Sequence, residues 1–417
     1  MFAIALRSLL NRWFSVMLVV LAIGLGVALY LGIERIRQSA KNSFEASING
    51  VDLIVGSRGG DVQILLYSVF NIGNATNNIQ ASSLETIAQD RRVSWVVPIS
   101  LGDSHRGYRV VGTTDAFFER VRTGRGQPLR FAHGEGLEVV FGAVLGSQVA
   151  RDLGYELGQS MVVSHGLVSA GTAEHGQMPF YVSAILEPTG TPIDSNVYVS
   201  LEGIEAIHVD WRNGAKIPGR NTSAEELAGL DLSPKTLTAA FFGIEDRLRV
   251  FQVQRSINEF SAEPLSAILP GIALSNLWGV MDSADVAFAV LGLSAFVVSV
   301  LGLVALLNLS LAQRRREMAI YRALGANALQ VAALLVIEAM IIGLSAIVLG
   351  VLLSLGLEFA ASWFARNVSG VSLLFAPYGL REGLSLLILV AATTLSGLIP
   401  AIRLYLSSLS STLQVTE

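Results

Sequence analysis

The chain has 417 residues, 52% of them hydrophobic and 15% charged, with a mean hydropathy of +0.55. That is more apolar than a soluble globular protein needs, so the class expected is a membrane protein. A net charge of −4 and the lack of a basic, aromatic-interleaved stretch argue against nucleic-acid binding. The absence of cysteine excludes disulfides and thiolate metal sites.

The first stretch, "MFAIALRSLLNRWF", residues 1–14, places Phe2, Leu6, Leu9, Leu10 and Trp13 on one side of a helix and Arg7, Ser8, Asn11 and Arg12 on the other. That pattern reads as a cytoplasmic helix lying in the membrane interface. A bilayer core of about 30 Å needs about 20 consecutive apolar residues. Four stretches qualify: 15–33, 286–312, 331–357 and 383–402. The first exceeds the apolar core of a signal peptide and no clear A-x-A cleavage site follows, so it reads as a retained anchor.

Orientation follows from the short loops. Arg314, Arg315, Arg316 and Arg322 crowd the loop 313–330, which makes it cytoplasmic, whereas loop 358–382 balances Arg366 and Arg381 against two glutamates. Both termini, including the tail 403–417, are then cytoplasmic, and 34–285 lies outside. Arg35, Arg37 and Lys41 run against this rule, accompanied by Glu34 and Glu45.

The outside segment is long enough to bury its own core. It opens with a helix ended by Gly50. β-branched runs then recur, among them "VDLIVG", "VSWVVPIS", "GYRVVGT", "LEVVFG", "FYVSAIL" and "NVYVSL". Helical pieces such as "GSQVARDLG", "EGIEAIHVDW" and "FQVQRSINEF" separate them. The expectation is a mixed α+β domain of two subdomains, joined to four transmembrane helices, with "ALSNLWGVMDSADV" as a helix feeding the second span.

No catalytic motif is present. A P-loop needs a lysine after glycine to cradle phosphates, and the three lysines, Lys41, Lys216 and Lys235, do not supply it. H-E-x-x-H, G-x-S-x-G and G-x-G-x-x-G after a strand are also missing. Four Asn-x-Ser/Thr matches begin at Asn74, Asn221, Asn308 and Asn367, but Asn308 lies inside an apolar span.

In "QRRREMAIYRALGAN", Met318, Tyr321 and Leu324/Gly325 share one helical side, with Arg315, Arg316 and Arg322 flanking or opposing it. Gly325 suits a helix stop. Asn327 then opens the next helix with Gln330 as capping-box partner. By charge alone the stretch only marks the cytoplasmic side.

The order of residues from Arg314 through Glu317 to Ala326 closely resembles the cytoplasmic signature of FtsX-like permeases, the membrane subunits of type VII ABC transporters. That group includes MacB exporters and the LolC and LolE lipoprotein-releasing subunits. The plan of one span, a large outside domain and three spans is similar too, as are "VVFGAVLGSQVARDLGYELGQSMVV" and "FYVSAILEPTGTPIDSNVYVSL". The tail departs: Pro400 and Arg403 are kept, but a second proline is missing.

The resemblance implies a non-enzymatic subunit of the bacterial inner membrane. Arg314, Arg315, Arg316, Glu317, Met318, Tyr321, Arg322, Leu324 and Gly325 would form a coupling helix seated on a dimer of ATPase subunits. ATP and Mg would be bound by that partner, with no cofactor held directly. A second permease copy or a paralogue would complete the assembly, with a periplasmic adaptor or lipoprotein as a further partner. The function implied is export or extraction of a hydrophobic, peptide-like or lipid-linked substrate, against the alternative of an FtsX-type regulator that activates an envelope hydrolase.

Other candidates remain open. Glu338 is an acid within the third span, costly unless it faces protein. It is either a partner for Arg322 or Arg12, or a residue near the headgroups. Gly24, Gly26 and Gly32 permit close helix approach. His165, His175 and His208, with Glu174 and Asp210 nearby, carry the ligand types of zinc, copper or heme iron but no tight ligand spacing. "VQILLYSVFNIG", 62–73, is a core helix or an apolar substrate cradle.

Overall fold

The computed structural model describes residues 2–124, 126–137, 139–165, 178–212, 215–217, 222, 224–227, 229–313, 325–369, 373, 375, 377–399 and 402. The chain divides into two compact units: Ala40–Met281 with Phe364–Leu374, and Met1–Ser39 with Asp282–Trp363 and Phe375–Glu417.

The first unit is built on an 11-stranded mixed sheet. Helix α1 is Phe2–Leu10 and α2 is Trp13–Ala46; β1 (Leu53–Ser57), α3 (Asp61–Val69), α4 (Ala81–Ala88), β2 (Val93–His105) and β3 (Tyr108–Thr113) follow. Next come α5 (Ala116–Arg120), β4 (Phe131–Gly134), β5 (Gly142–Leu145), α6 (Ser147–Leu153), β6 (Phe180–Leu186), β7 (Asn196–Ser200) and α7 (Leu201–His208). The unit closes with β8 (Ala239–Ile244), α8 (Val250–Asn258) and β9 (Leu265–Ile268). The main path across the sheet is β9-β1-β8-β2-β3-β7-β5-β6-β4, with β3/β7 and β5/β6 parallel and the other neighbours antiparallel.

Local chemistry sets these elements. The β2–β3 hairpin turns at Arg106 and Gly107, both at positive φ, 47° and 89°, as a two-residue primed turn demands. Gly154 ends α6 in the left-handed region at φ 68°. Ser200 caps α7, its hydroxyl accepting the Gly203 N–H at 2.9 Å.

Alternation along the strands sends side chains to two faces. On one, Ile54, Val97, Val111, Val144, Tyr198 and Phe241 form a single core under α3 and α5. On the other the core is split. Leu53, Val55 and Phe242 pack with α4 and α8, while Val110, Leu145 and Val199 pack with α6 and α7. The two subdomains expected from sequence are thus two half-cores behind one shared sheet. A bulge in β6 between Val182 and Ala184 changes faces in mid-strand, so Phe180 and Val182 join one half-core while Ala184 and Leu186 join the shared one. The stretch 62–73 supplies Ile64, Leu65, Tyr67 and Phe70 to the shared core, and so reads as core helix.

The second unit is helical. It holds α1, most of α2, much of α9 (Pro270–Gln313) and α10 (Ala328–Ser369), and all of α11 (Leu380–Ser396). Among the described residues, Trp13–Ala46 and Leu329–Ala365 are long and apolar enough to cross a membrane, and Glu382–Ser396 is a shorter apolar helix. Helix α10 runs to Ser369, so the first part of the loop expected at 358–382 is helical. Nothing between Glu358 and Ser369 is a proline or glycine, so no residue there breaks the helix.

Small residues let α2, α10 and α11 approach. A Cβ on Gly350 would fall 2.6 Å from Val27 Cβ and 2.9 Å from the Gly24 carbonyl, and one on Gly397 2.6 Å from Ala339 Cβ. Ile23, Val27 and Leu31 of α2 fill the seam against Ile342, Ala346 and Ile347 of α10.

Helix α1 keeps the expected apolar side of Leu6, Leu10 and Trp13 outward, and departs from the expectation at Leu9 and Ser8. Ala5, Ser8 and Leu9 are its buried face, Ala5 packing with Val331 and Leu334, whereas Leu6, Leu10 and Trp13 are exposed. The reason is polar: Ser8 and Arg12 turn inward to a carboxylate on α10, leaving the larger apolar side chains for lipid.

Candidate functional site

Two charged clusters fasten the helical unit, one toward each end of α10. At its N-terminal end, Asn327 and Gln330 cap the helix reciprocally. The Gln330 N–H donates to Asn327 Oδ1 at 2.7 Å and the Asn327 N–H to Gln330 Oε1 at 2.9 Å. Two turns further on, Glu338 is fully buried, and Ser8 Oγ donates to its Oε1 at 2.6 Å. Arg12 Nη2 lies 3.7 Å from Glu338 Oε2 and donates to Ser8 Oγ at 3.1 Å. The acid therefore faces protein, and α1 closes over it.

The other cluster centres on Arg35 of α2. Its guanidinium engages Glu358 in a forked pair, through Nε to Oε1 and through Nη2 to Oε2 at 3.2 Å. Glu382 Oε1 stands 4.0 Å from Arg35 Nη1, and that carboxylate is itself fixed by the Gly379 N–H at the start of α11. Tyr378 stacks its ring 3.9 Å from Arg35 Cζ and shares its hydroxyl with Ser354 Oγ at 2.8 Å. Arg35 and Glu358 are only 7% and 8% exposed at their side chains. Two carboxylates face one guanidinium, so α2, α10 and α11 meet at a single buried charge.

Glu338 and Glu358 are 20 residues apart on one helix, a rise of about 30 Å, which is the thickness of the bilayer hydrocarbon core. The glycine-lined α2–α10 seam occupies the interval between the two charges. Helices α2, α9 and α10 run without a break through the residues at which the two units divide.

A model of the MacB-like periplasmic core domain matches residues 16–228, about half of the chain, and one of the FtsX-like permease C-terminal matches residues 289–409. The chain belongs to the FtsX-like, MacB-type permease family. The permease is therefore a membrane-embedded component of ABC transporters with a periplasmic-type domain, and members of its family work with an ABC-type ATPase. Among solved structures, it is similar to the periplasmic region of MacB from Actinobacillus actinomycetemcomitans, at 12% identity over 56% of this chain and 97% of that one, with a TM-score of 0.34. It is also similar to the extracellular domain of the noncanonic ABC-type transporter YknZ from Gram-positive bacteria, at 10% identity over 52% and 98%, with a TM-score of 0.31. No curated protein matches the permease in sequence.

The expected coupling residues Arg314, Arg315, Arg316, Glu317, Met318, Tyr321, Arg322 and Leu324 lie outside the described residues. Gly325, just after them, has φ 96°, which only glycine adopts readily, and the capped α10 follows directly. His175 also lies outside the described residues, and His165 falls in a two-residue strand opposite Asp103. His208 ends α7, its Nδ1–H donating to the Ile204 carbonyl at 2.7 Å with Nε2 3.8 Å from Asp103 Oδ1. Among the described residues no three His, Asp or Glu side chains converge as a metal site.

The Arg35 cluster was not legible as a site. The signal was present: Arg35 was the charge that ran against the orientation rule, and Glu358 and Glu382 bounded the loop between the last two spans. Paired with Glu358, Arg35 is neutralised rather than a free topology signal.

Proposed function

We propose that the permease transmits ATP-driven motion from a separate ATPase dimer to its outside domain, and so exports or extracts a hydrophobic, peptide-like or lipid-linked substrate. Four spans, 15–33, 286–312, 331–357 and 383–402, carry the motion, with both termini cytoplasmic and the sheet domain outside. Arg314 to Gly325 is the coupling helix; its arginines would pair with ATPase carboxylates, and Met318, Tyr321 and Leu324 would fill the apolar floor of the cleft. ATP hydrolysis belongs to the partner chain, and a second permease copy or a paralogue completes a two-fold assembly.

The observation that supports this reading is the bracketing of α10 by buried charge at Glu338 and Glu358, which makes the helix that follows the coupling segment a braced rod. Reconstitution of the permease with its ATPase tests it. Hydrolysis should rise when apolar peptides or lipid-linked substrates are added. Stimulation only by a periplasmic protein partner would replace transport with activation of an envelope hydrolase.

A further inference from the structure

Arg109 lies in the middle of the sheet, on β3, and is 6% exposed. Burying a guanidinium normally requires a carboxylate beside it, because the uncompensated charge loses its hydration. Arg109 has none. Its hydrogen bonds go to neutral oxygens: Nη2 to the Gly73 carbonyl at 3.2 Å, and Nη1 and Nη2 to Asn74 Oδ1 at 3.4 Å each. Three of the five N–H donors of an arginine are thus used, two of them at the long limit. Nε is buried with no hydrogen-bond partner.

The surroundings are polar and neutral. In β7, Asn196 stands in register beside Arg109, accepts from Asn71 Nδ2 at 2.8 Å and donates to the Tyr198 hydroxyl at 3.1 Å. The segment over Arg109, Asn71 to Asn74, takes positive φ at Asn71 and Gly73, 58° and 79°, and exposes Ile72, so it is a surface loop rather than core. A buried cation with an idle Nε, ringed by amides and roofed by a loop, presents an edge whose chemistry suits an anion.

We propose that Arg109 is the floor of an oxyanion site, taking one phosphate-type group through the Nε edge of its guanidinium, with the Asn71 to Asn74 loop as its cover. The planar fork suits a bidentate oxyanion, and the low dielectric strengthens each bond. The neutral amides leave the charge of the ligand unopposed. The group could be free phosphate or a lipid headgroup, and the two share this chemistry.

The test follows thermal unfolding of the purified full chain in an uncharged detergent, titrated with inorganic phosphate at constant ionic strength. The wild type should gain a saturable rise in midpoint of about 2–4 °C. Arg109→Gln should lose the saturable response, and Arg109→Lys, which keeps the charge but not the fork, should weaken it. A role as a structural brace alone would lower the midpoint in Arg109→Gln while leaving any phosphate response equal to that of the wild type, and that result overturns the proposal. A second arm compares nanodiscs of phosphatidylcholine with nanodiscs containing phosphatidylglycerol. An Arg109-dependent rise only in the latter assigns the group to a lipid headgroup. Where Arg109→Gln does not fold, equilibrium dialysis of the wild type against labelled phosphate decides: one saturable phosphate per chain, weakened in Arg109→Lys, sustains the site. Absence of saturable binding to both phosphate and phosphatidylglycerol removes it.

Discussion

Arg35 and Glu358, 323 residues apart in the chain, form a forked and nearly dry ion pair between α2 and α10. A pair so buried is weak evidence of net stability, since desolvation offsets the attraction, but removing one partner strands the other charge. Its value is geometric: it fixes which turn of α2 meets which turn of α10. Glu358→Gln should therefore cost about 3–5 kcal/mol, and Arg35→Met with Glu358→Leu should recover most of it. Denaturation midpoints of the wild type, Arg35→Met, Glu358→Leu and the double variant, taken as a double-mutant cycle, check this. A cycle with no coupling would mean that the pair is incidental.

The same pair should matter for transmission separately from stability. In the reconstituted complex, the Arg35→Met/Glu358→Leu protein should fold and bind its ATPase, yet lose most of the substrate-stimulated increment of hydrolysis while keeping the basal rate. Equal stimulation in both proteins would confine the cluster to a packing role.

The α2–α10 seam tolerates no added volume at Gly350. A Cβ there would lie 2.6 Å from Val27 Cβ, well inside van der Waals contact. Gly350→Val should separate the helices and destabilise the helical unit by about 1–3 kcal/mol, read as a lowered midpoint. Gly356→Ala is the matched control, because a Cβ at Gly356 meets no atom within 4 Å.

His105 supplies a pH prediction. It is 3% exposed; its Nδ1–H donates to the Val162 carbonyl at 2.6 Å and its Nε2 accepts from the Tyr155 hydroxyl at 3.0 Å. Burial holds its pKa below the ordinary 6.5, with the Val162 carbonyl opposing the shift and Arg106 adding to it. The unfolded chain takes up this proton first as pH falls. Stability from His105 is therefore complete above about pH 6.5 and declines as pH drops toward the lowered folded-state value. Unfolding midpoints at pH 7.5 and 5.5 should converge in His105→Gln relative to the wild type; an unchanged gap would assign the acid sensitivity elsewhere.

Reversal of Arg315 and Arg316 to Glu should abolish co-purification with the ATPase while leaving membrane insertion intact, since the remaining apolar spans still specify insertion. Full co-purification with an active ATPase would reduce the arginines to topology markers.

Much of this permease was written in local pattern. Apolar runs of about 20 residues marked the helices, short β-branched runs marked β1, β3, β6 and β7, and single residues marked ends, such as Gly154 after α6 and Asn327 before α10. These features depend only on neighbours in sequence, where propensity, capping and turn chemistry operate. The apolar side of α1 was legible, but the burial of Ser8 was not, because only the buried Glu338 makes Ser8 and Arg12 an inward side. Nor was the Arg35 cluster. Its members come from α2, α10 and the start of α11, and a charge near a span end looks the same in sequence whether lipid, water or another helix meets it. Sequence by itself determined the elements and the apolar runs, since each is set over a few turns of chain. Tertiary structure alone decided which charges meet, because pairing across 323 residues depends on helix packing, and packing at Gly24 and Gly350 is a matter of fit between surfaces that no single segment specifies.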